Sequence, residues 1–331
     1  MRVLVTGGGG FLGAAIVRAL LGRGISVRTL ARGDYPWLTR AGVEAIRGDL
    51  CDTKTVSQAC VGMDAVFHVA ALPGVWGDDA LFEATNVGGT QNILEGCRAA
   101  GVPHLIYSSS PSVVHRAGGI EGADESLPYP QSWPAPYPRT KAEAERRVRE
   151  ANSPTLKTVS LRPHLIWGPG DPNLLPRLVD RARSGRLKKI GEGDPLIDSV
   201  YIDNAADAHL LAWDRLREGA DIGGKVYFIT NGEPMGCWTL INKLLATQGV
   251  GPLKGQVSRP MALRAAAVLE WVWRKFALAG EPPLTHFVVE ELTCPHYFDI
   301  SAARRDLGYV PKVSIEEGLR LLAHHHQQSQ V

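Results

Sequence analysis

A glycine turn at residues 7–13 limits what this chain can become more than any other feature. The segment Leu4-Val5-Thr6-Gly7-Gly8-Gly9-Gly10-Phe11-Leu12-Gly13 follows a β-branched run at once and opens an apolar stretch with helical spacing. Strand, glycine turn and helix in that order begin a βαβ unit, and the pattern binds dinucleotides when it stands in that context. Gly7 allows the tight turn, Gly10 lets the backbone approach a pyrophosphate, and Gly13 permits close helix–strand contact. The first helical turn, with Phe11 and Leu12, then offers N–H donors and a partial positive charge to phosphates. The plainer alternative is a merely flexible turn, and it does not need a strand before it and a helix after it.

The rest of the chain continues the alternation. The runs 2–6, 25–31, 43–49, 65–70, 104–110, 158–163 and 226–230 read as buried strands. The segments 11–23, 88–101 and 142–152 space their apolar residues as helices. Such alternation implies an α/β fold, a doubly wound parallel sheet of Rossmann type covered on both faces. After about residue 166 the pattern loosens and Pro and Gly become frequent. Residues 1–165 and 201–231 are therefore expected to form the dinucleotide-binding domain. Residues 166–200 and 232–331 are expected to form a smaller, mostly helical substrate domain. A length of 331 residues accommodates both. No internal repeat or low-complexity tract interrupts them.

Composition narrows the function classes. With 36 Lys and Arg against 34 Asp and Glu, the charge is too balanced for a nucleic-acid binder that relies on phosphate neutralisation. Cys51, Cys60, Cys97, Cys237 and Cys294 are odd in number and widely spaced, with no CxxC, as in a reducing cytosol. No metal ligand set is expected, and His324–His326 read as part of a solvated tail rather than a metal tract. The chain opens directly on a strand, so a cytoplasmic protein without a signal peptide is expected. In 261–278 the charges Arg264, Glu270, Arg274 and Lys275 leave no run able to span a bilayer. There Ala262, Ala265, Leu269, Val272, Trp273 and Phe276 share a helix face that packs on its own domain. The alternative is that part of this face, with Trp271, lines a substrate entrance or touches a membrane.

The cofactor type is written at the strand ends. The second strand ends in Ala31-Arg32, where an NAD site would place an acid for the ribose hydroxyl. A guanidinium there can pair with a 2′-phosphate, so NADP(H) is favoured and NAD(H) remains the alternative, with Asp34 as ribose ligand. Asp49 and Leu50 are expected to frame the adenine. Ala70, Ala71 and Pro163, at later strand ends, are expected to border the same cleft.

After the fifth strand come Ser108, Ser109 and Ser110, and farther on Tyr137-Pro-Arg-Thr-Lys141. Tyr137 and Lys141 are four apart at a helix start, so both side chains reach one face. An ammonium beside a phenol lowers its pKa and lets it exchange a proton with a carbonyl oxygen. A serine hydroxyl can hydrogen-bond the same oxygen as charge develops. Pro138 biases Tyr137 away from helical backbone yet suits a first turn. Pro128, Pro130, Pro134, Pro136 and Pro138 are read as a stiff wall of the cleft.

With the glycine turn, the serine cluster and the Tyr–Lys pair together, the chain resembles the extended short-chain dehydrogenases/reductases over almost its whole length. The resemblance implies that Ser110, Tyr137 and Lys141 are the catalytic triad, with Ser109 and Ser112 open as alternatives to Ser110. It also implies that Lys141 binds the nicotinamide ribose. HVAALPGVWG, SSPSVV, YPRTKAEAERRV, LRPHLIWGPGDP and YIDNAADAHL resemble the 3β-hydroxysteroid dehydrogenase-like branch. Within it they are similar to 2-alkyl-3-oxoalkanoate reductases of bacterial long-chain olefin biosynthesis and to decarboxylating sterol-4-carboxylate 3-dehydrogenases, the olefin enzymes first. This implies reduction of a hydrophobic β-keto acid, with 3β-hydroxysteroid or sterol oxidation as the alternative. A nucleotide-sugar epimerase or dehydratase is more distant, and a catalytically dead NADP-binding regulator more distant still. His164, Arg177 and Trp76 are substrate candidates, His164 toward a carboxylate or else packed at the domain junction. Arg181, Arg186 and Lys188 read as a solvated face, and Asp203 and Asn204 as helix caps. A homodimer is expected, as is association with other enzymes of an olefin pathway.

Overall fold

The computed structural model describes residues 1–328. Its main sheet has seven parallel strands: β1 (Arg2–Thr6), β2 (Ser26–Ala31), β3 (Glu44–Arg47), β4 (Ala65–His68), β5 (His104–Ser108), β6 (Lys157–Pro163) and β7 (Val226–Ile229). They lie in the order β3-β2-β1-β4-β5-β6-β7, every neighbouring pair parallel. This is the Rossmann-type order expected from the alternation. Each expected strand is present, within one to two residues at its ends. β-branched runs fill these strands because both faces are covered. In β1, Val3 and Val5 join the core on one side while Leu4 joins the core on the other.

Helices Phe11–Gly22 and Ile202–Arg217 pack together over the first face. Thr53–Cys60, Gly89–Ala100 and Pro136–Glu150 cover the second. Thr53–Cys60 was not evident from apolar spacing, but Asp52 caps it, its carboxylate accepting from the Lys54 and Thr55 amides. The helix expected from residue 142 begins six residues earlier, at Pro136, because proline fits the first turn and the amide it lacks would be unpaired there. The chain leaves β1 toward β2 and β3, then crosses back to β4. The ends of β1 and β4 therefore open a crevice at the point where the strand order reverses.

Beyond residue 166 the chain is mostly helical, with Leu174–Arg183, Cys237–Ala246, Arg259–Phe276, His286–Thr293 and Ile315–Gln328. Ile202–Arg217 and β7 return to the main sheet. A second, four-stranded sheet runs Met235–Gly236, Leu196–Ile197, His296–Phe298, Ile120–Ala123. Its last strand comes from between β5 and the helix Pro136–Glu150. Its strands are two to four residues long, too short for a period to declare them. Three expectations change. Asn204 is no cap: it is buried, and its amide ties Asn231 and the Val313 carbonyl into the first turn of Ile202–Arg217. His324–Gln328 continue the last helix, while residues 329–331 of the expected tail lie outside the described residues. In Arg259–Phe276 the buried positions are Ala262 and Ala266, and Phe276 faces out. Among the described residues no helix is long and apolar enough to cross a membrane.

Candidate active site

At the switch point the strand ends enclose a cavity of about 530 Å³. Its floor is the glycine turn. Gly7 has φ +70°, which a side chain would strain, and a Cβ on Gly13 would sit 2.1 Å from the Gly7 carbonyl oxygen. The turn is thus shaped for backbone alone: the Gly7 amide donates to the Leu30 carbonyl and the Gly10 amide to the Gly7 carbonyl, which leaves the first helical turn, at Phe11 and Leu12, to meet a phosphate. Gly7, Gly10, Phe11, Leu12 and Gly13 all line the cavity. So do Arg32, Asp49 and Leu50 at one end, and Ala70, Ala71 and Pro163 toward the other.

Arg32 is exposed and forms no ion pair among the described residues, whereas Asp34 does not line the cavity. Tyr35, which the sequence did not single out, lies over the turn: a Cβ on Gly9 would come within 2.2 Å of its ring. The pattern Arg32-Gly33-Asp34-Tyr35 gave no reason to choose the ring, because only the fold brings residues 9 and 35 together. Leu165 also lines the cavity, with φ +42°, an uncommon backbone for a branched residue.

The opposite wall carries the candidate chemistry. Ser108, Ser109 and Ser110 extend from β5, and Tyr137 and Lys141 project from the first turns of Pro136–Glu150. Ala135 is extended and Pro136 starts the helix, so Pro138 leaves the four-residue spacing intact. Ser110 Oγ lies 2.9 Å from Ser112 Oγ. Ser109 and Ser110 line the cavity and Ser112 does not. Lys141 is 2% exposed; its Nζ donates to the Ser108 carbonyl at 2.5 Å and sits 4.2 Å from the Tyr107 ring centre. Burial brings its pKa down to about 7, against the pull of Glu145. Burial also raises the Tyr137 phenol, and the Ser110 hydroxyl partly offsets the rise. The expected lowering of the phenol by Lys141 is absent from this arrangement, because burial dominates.

One turn farther along the same helix lies Glu145, missed by the sequence reading. It is fully buried and accepts from Arg162 Nε at 3.0 Å and Nη2 at 2.6 Å, and from the Tyr129 hydroxyl at 2.5 Å. The i, i+4, i+8 spacing of Tyr137, Lys141 and Glu145 was the available signal.

The three substrate candidates lie apart from this wall. His164 does not line the cavity; its Nε2 lies 3.1 Å from His296 Nδ1, and its ring packs edge-on against Phe298. Burial pushes its pKa down to about 3, so the ring is neutral. His296 Nε2 in turn donates to the Glu291 carbonyl at 2.8 Å. Ligand atoms of His164, Glu291 and His296 fall within 4.8 Å of one another, close enough to meet on one ion. His115 Nδ1 already lies 3.2 Å from the Glu291 carboxylate. Arg177 is 63% exposed and pairs with Glu281 at 3.1 Å. Trp76 is half-buried beneath the guanidinium of Arg274, 4.9 Å from its ring centre. The prolines before Tyr137 do not line the cavity.

Comparison with known proteins supplies the family. The 3-beta hydroxysteroid dehydrogenase/isomerase family matches residues 4–257. A 2-alkyl-3-oxoalkanoate reductase of Stenotrophomonas maltophilia (strain K279a) is 51% identical over 325 residues, covering 97% of this chain and 98% of its own. A decarboxylating sterol-4-alpha-carboxylate 3-dehydrogenase of Mus musculus is 35% identical, over 96% of this chain and 89% of its own. Among solved structures, MoeE5 in complex with UDP-glucose and NAD superposes with a TM-score of 0.77 at 26% identity, covering 100% of both chains.

Proposed function

Because the chain belongs to the 3-beta hydroxysteroid dehydrogenase/isomerase family, and is an oxidoreductase acting on the CH–OH/ketone couple, we propose that it reduces a 2-alkyl-3-oxoalkanoate to the 2-alkyl-3-hydroxyalkanoate with NADPH. The observation that carries this reading is the cavity wall on which Ser110, Tyr137 and Lys141 face the glycine cradle. The cradle, the helix N-terminus behind it and Arg32 at its rim suit a dinucleotide with a 2′-phosphate. A nicotinamide held there would supply the hydride for the carbonyl carbon. The choice of a β-keto acid with alkyl arms rests on the name of the 51% identical reductase.

The protein's own residues handle the oxygen. With its pKa raised, the Tyr137 phenol stays protonated at neutral pH and holds a proton ready for the ketone oxygen. The Ser110 hydroxyl donates to the same oxygen as negative charge grows there. Lys141, charged below about pH 7, draws the phenolate left on Tyr137 toward stability and would hold the ribose of the cofactor. Ser108 fixes the ammonium through its carbonyl. One C–H and one O–H bond would form as the carbonyl π bond, the hydride donor's C–H bond and the Tyr137 O–H bond break, and Tyr137 is reprotonated from solvent.

NADPH oxidation with purified protein, across long 3-oxo acids, 3-ketosteroids and nucleotide sugars, tests the reading. Turnover of 2-alkyl-3-oxoalkanoates is expected. Oxidation of a 3β-hydroxysterol-4-carboxylate with no activity on the keto acids would replace it by the sterol reading, which the 35% identical mouse protein favours.

A further inference from the structure

The helix Arg259–Phe276 carries its largest apolar side chains on the outside. Met261 and Val268 are 61% exposed, Trp271 59% and Phe276 63%, and Leu278 just beyond is 42% exposed. Positions 261, 265, 268, 272 and 276 recur in steps of three and four and form one stripe, with Trp271 beside it. The next stripe round the helix, through Ala262, Ala266, Leu269 and Trp273, packs inward, and Val272 at the seam between the two is half-buried. Arg264, Arg274 and Lys275 are exposed among or beside the outer apolar residues. The helix has one acid, Glu270, which turns inward to accept the His286 amide at 2.8 Å. A Trp- and Phe-bearing stripe edged by cations, with no free carboxylate, is the composition of a helix that lies in a lipid interface.

Its position gives that composition a use. Arg274 reaches over the Trp76 ring, and the Val75 amide donates to Glu281 Oε1 at 3.3 Å. Pro73, two residues earlier on the same loop, is exposed and lines the active-site cavity. The edge of the helix that carries Trp271 and Arg274 therefore adjoins the loop that borders the cavity. We propose that this stripe docks on an anionic lipid bilayer and sets the mouth against the lipid from which the long-chain substrate is drawn. The proposal rests on the substrate reading given above. A second copy of the chain is the competing occupant. Arg274 lies 3.9 Å from the Glu270 carboxylate, but a two-fold contact through the stripe would bring Arg264 and Lys275 of one copy against those of the other. Anionic headgroups neutralise the same cations while the acyl region takes the tryptophan and phenylalanine.

Sedimentation with vesicles, without substrate, tests the docking. The protein is expected to pellet with vesicles of mixed phosphatidylglycerol and phosphatidylcholine, far less with phosphatidylcholine alone, and less as salt is added. Tryptophan emission should shift blue on binding. Trp271→Glu combined with Phe276→Glu should lower the partition coefficient about tenfold or more, leaving melting temperature and NADPH affinity unchanged. Arg264→Glu with Lys275→Glu should abolish the preference for anionic lipid. Wild-type protein that stays in the supernatant, or a Trp271/Phe276 variant that binds vesicles as wild type does, overturns the proposal. So does a variant that turns a dimer into a monomer with vesicle binding unchanged, which assigns the face to a second copy. Docking needs no substrate, so its failure leaves the reductase reading standing. A protein that docks yet leaves long 3-oxo acids unreduced keeps the docking and loses that reading.

Discussion

Tyr137 and Lys141 share a wall but are driven in opposite directions by the same burial, the phenol up and the ammonium down to about 7. Each shift favours the neutral form. For a reductase this makes Tyr137 a ready proton donor and Lys141 the titrating group. Tyr137→Phe is expected to leave NADPH binding nearly intact and to lower kcat by about two orders of magnitude or more, measured with chemistry limiting. Lys141 is charged below its pKa, so NADPH affinity should weaken as pH rises through about 7, and Lys141→Ala should flatten that dependence in a fluorescence titration. Arg32→Ala is expected to weaken NADPH by about ten- to a hundredfold, the worth of roughly 1.5–3 kcal/mol in one charge-assisted contact, while sparing NADH. Equal losses for both cofactors would return the ribose contact to Asp34. The sequence made Tyr137, Lys141 and Arg32 legible because each lies at a fixed offset from a recognisable element. Tyr35 and Leu165 were not legible, since only the closed fold puts them at the cavity.

The helix Pro136–Glu150 does two jobs, and its second one was hidden. On the cavity side it carries Tyr137 and Lys141; one turn on, it buries Glu145 against Arg162. In sequence AEAERRVRE declares only its helical spacing, because no single-chain pattern distinguishes a solvated glutamate from one whose partner lies on a distant strand. Arg162 is 1% exposed, so Glu145→Ala would strand a buried guanidinium, and a loss of about 3–5 kcal/mol is expected in urea unfolding. Glu145→Gln keeps the shape and removes the charge that supports the Lys141 ammonium. The pH at which NADPH affinity falls should then move downward. The glycine helix makes a complementary case, fully legible from spacing. Gly13→Ala places a methyl 2.1 Å from the Gly7 carbonyl oxygen, so the turn must open. Cofactor affinity should fall sharply, with a stability loss of about 1–3 kcal/mol in the same unfolding measurement.

Across the whole molecule, substrate choice is the property at stake. If the alkyl arms of a β-keto acid are buried, each methylene contributes about 0.8 kcal/mol, and kcat/KM should rise severalfold per carbon until the groove is full. Acetoacetate-like acids should be poor substrates in the same assay, and a ketone of equal length without the carboxylate should also lose rate. At this scale the parallel sheet was legible because both-face burial writes unbroken apolar runs. The second sheet was not: Ile120 meets His296, and Leu196 meets Gly236, in pairings too short to leave a period. That second sheet has a mechanical consequence. The segment between Ser110 and Tyr137 is pinned midway, at Ile120–Ala123, to the strand His296–Phe298, about 175 residues farther on, so the linker between the two candidate groups cannot relax independently of the late chain. That strand thereby acts as a splint for the spacing between serine and tyrosine. A nick anywhere between residues 300 and 310 would leave that splint attached, whereas removal of residues 296–298 would let the spacing drift with the glycine cradle still intact.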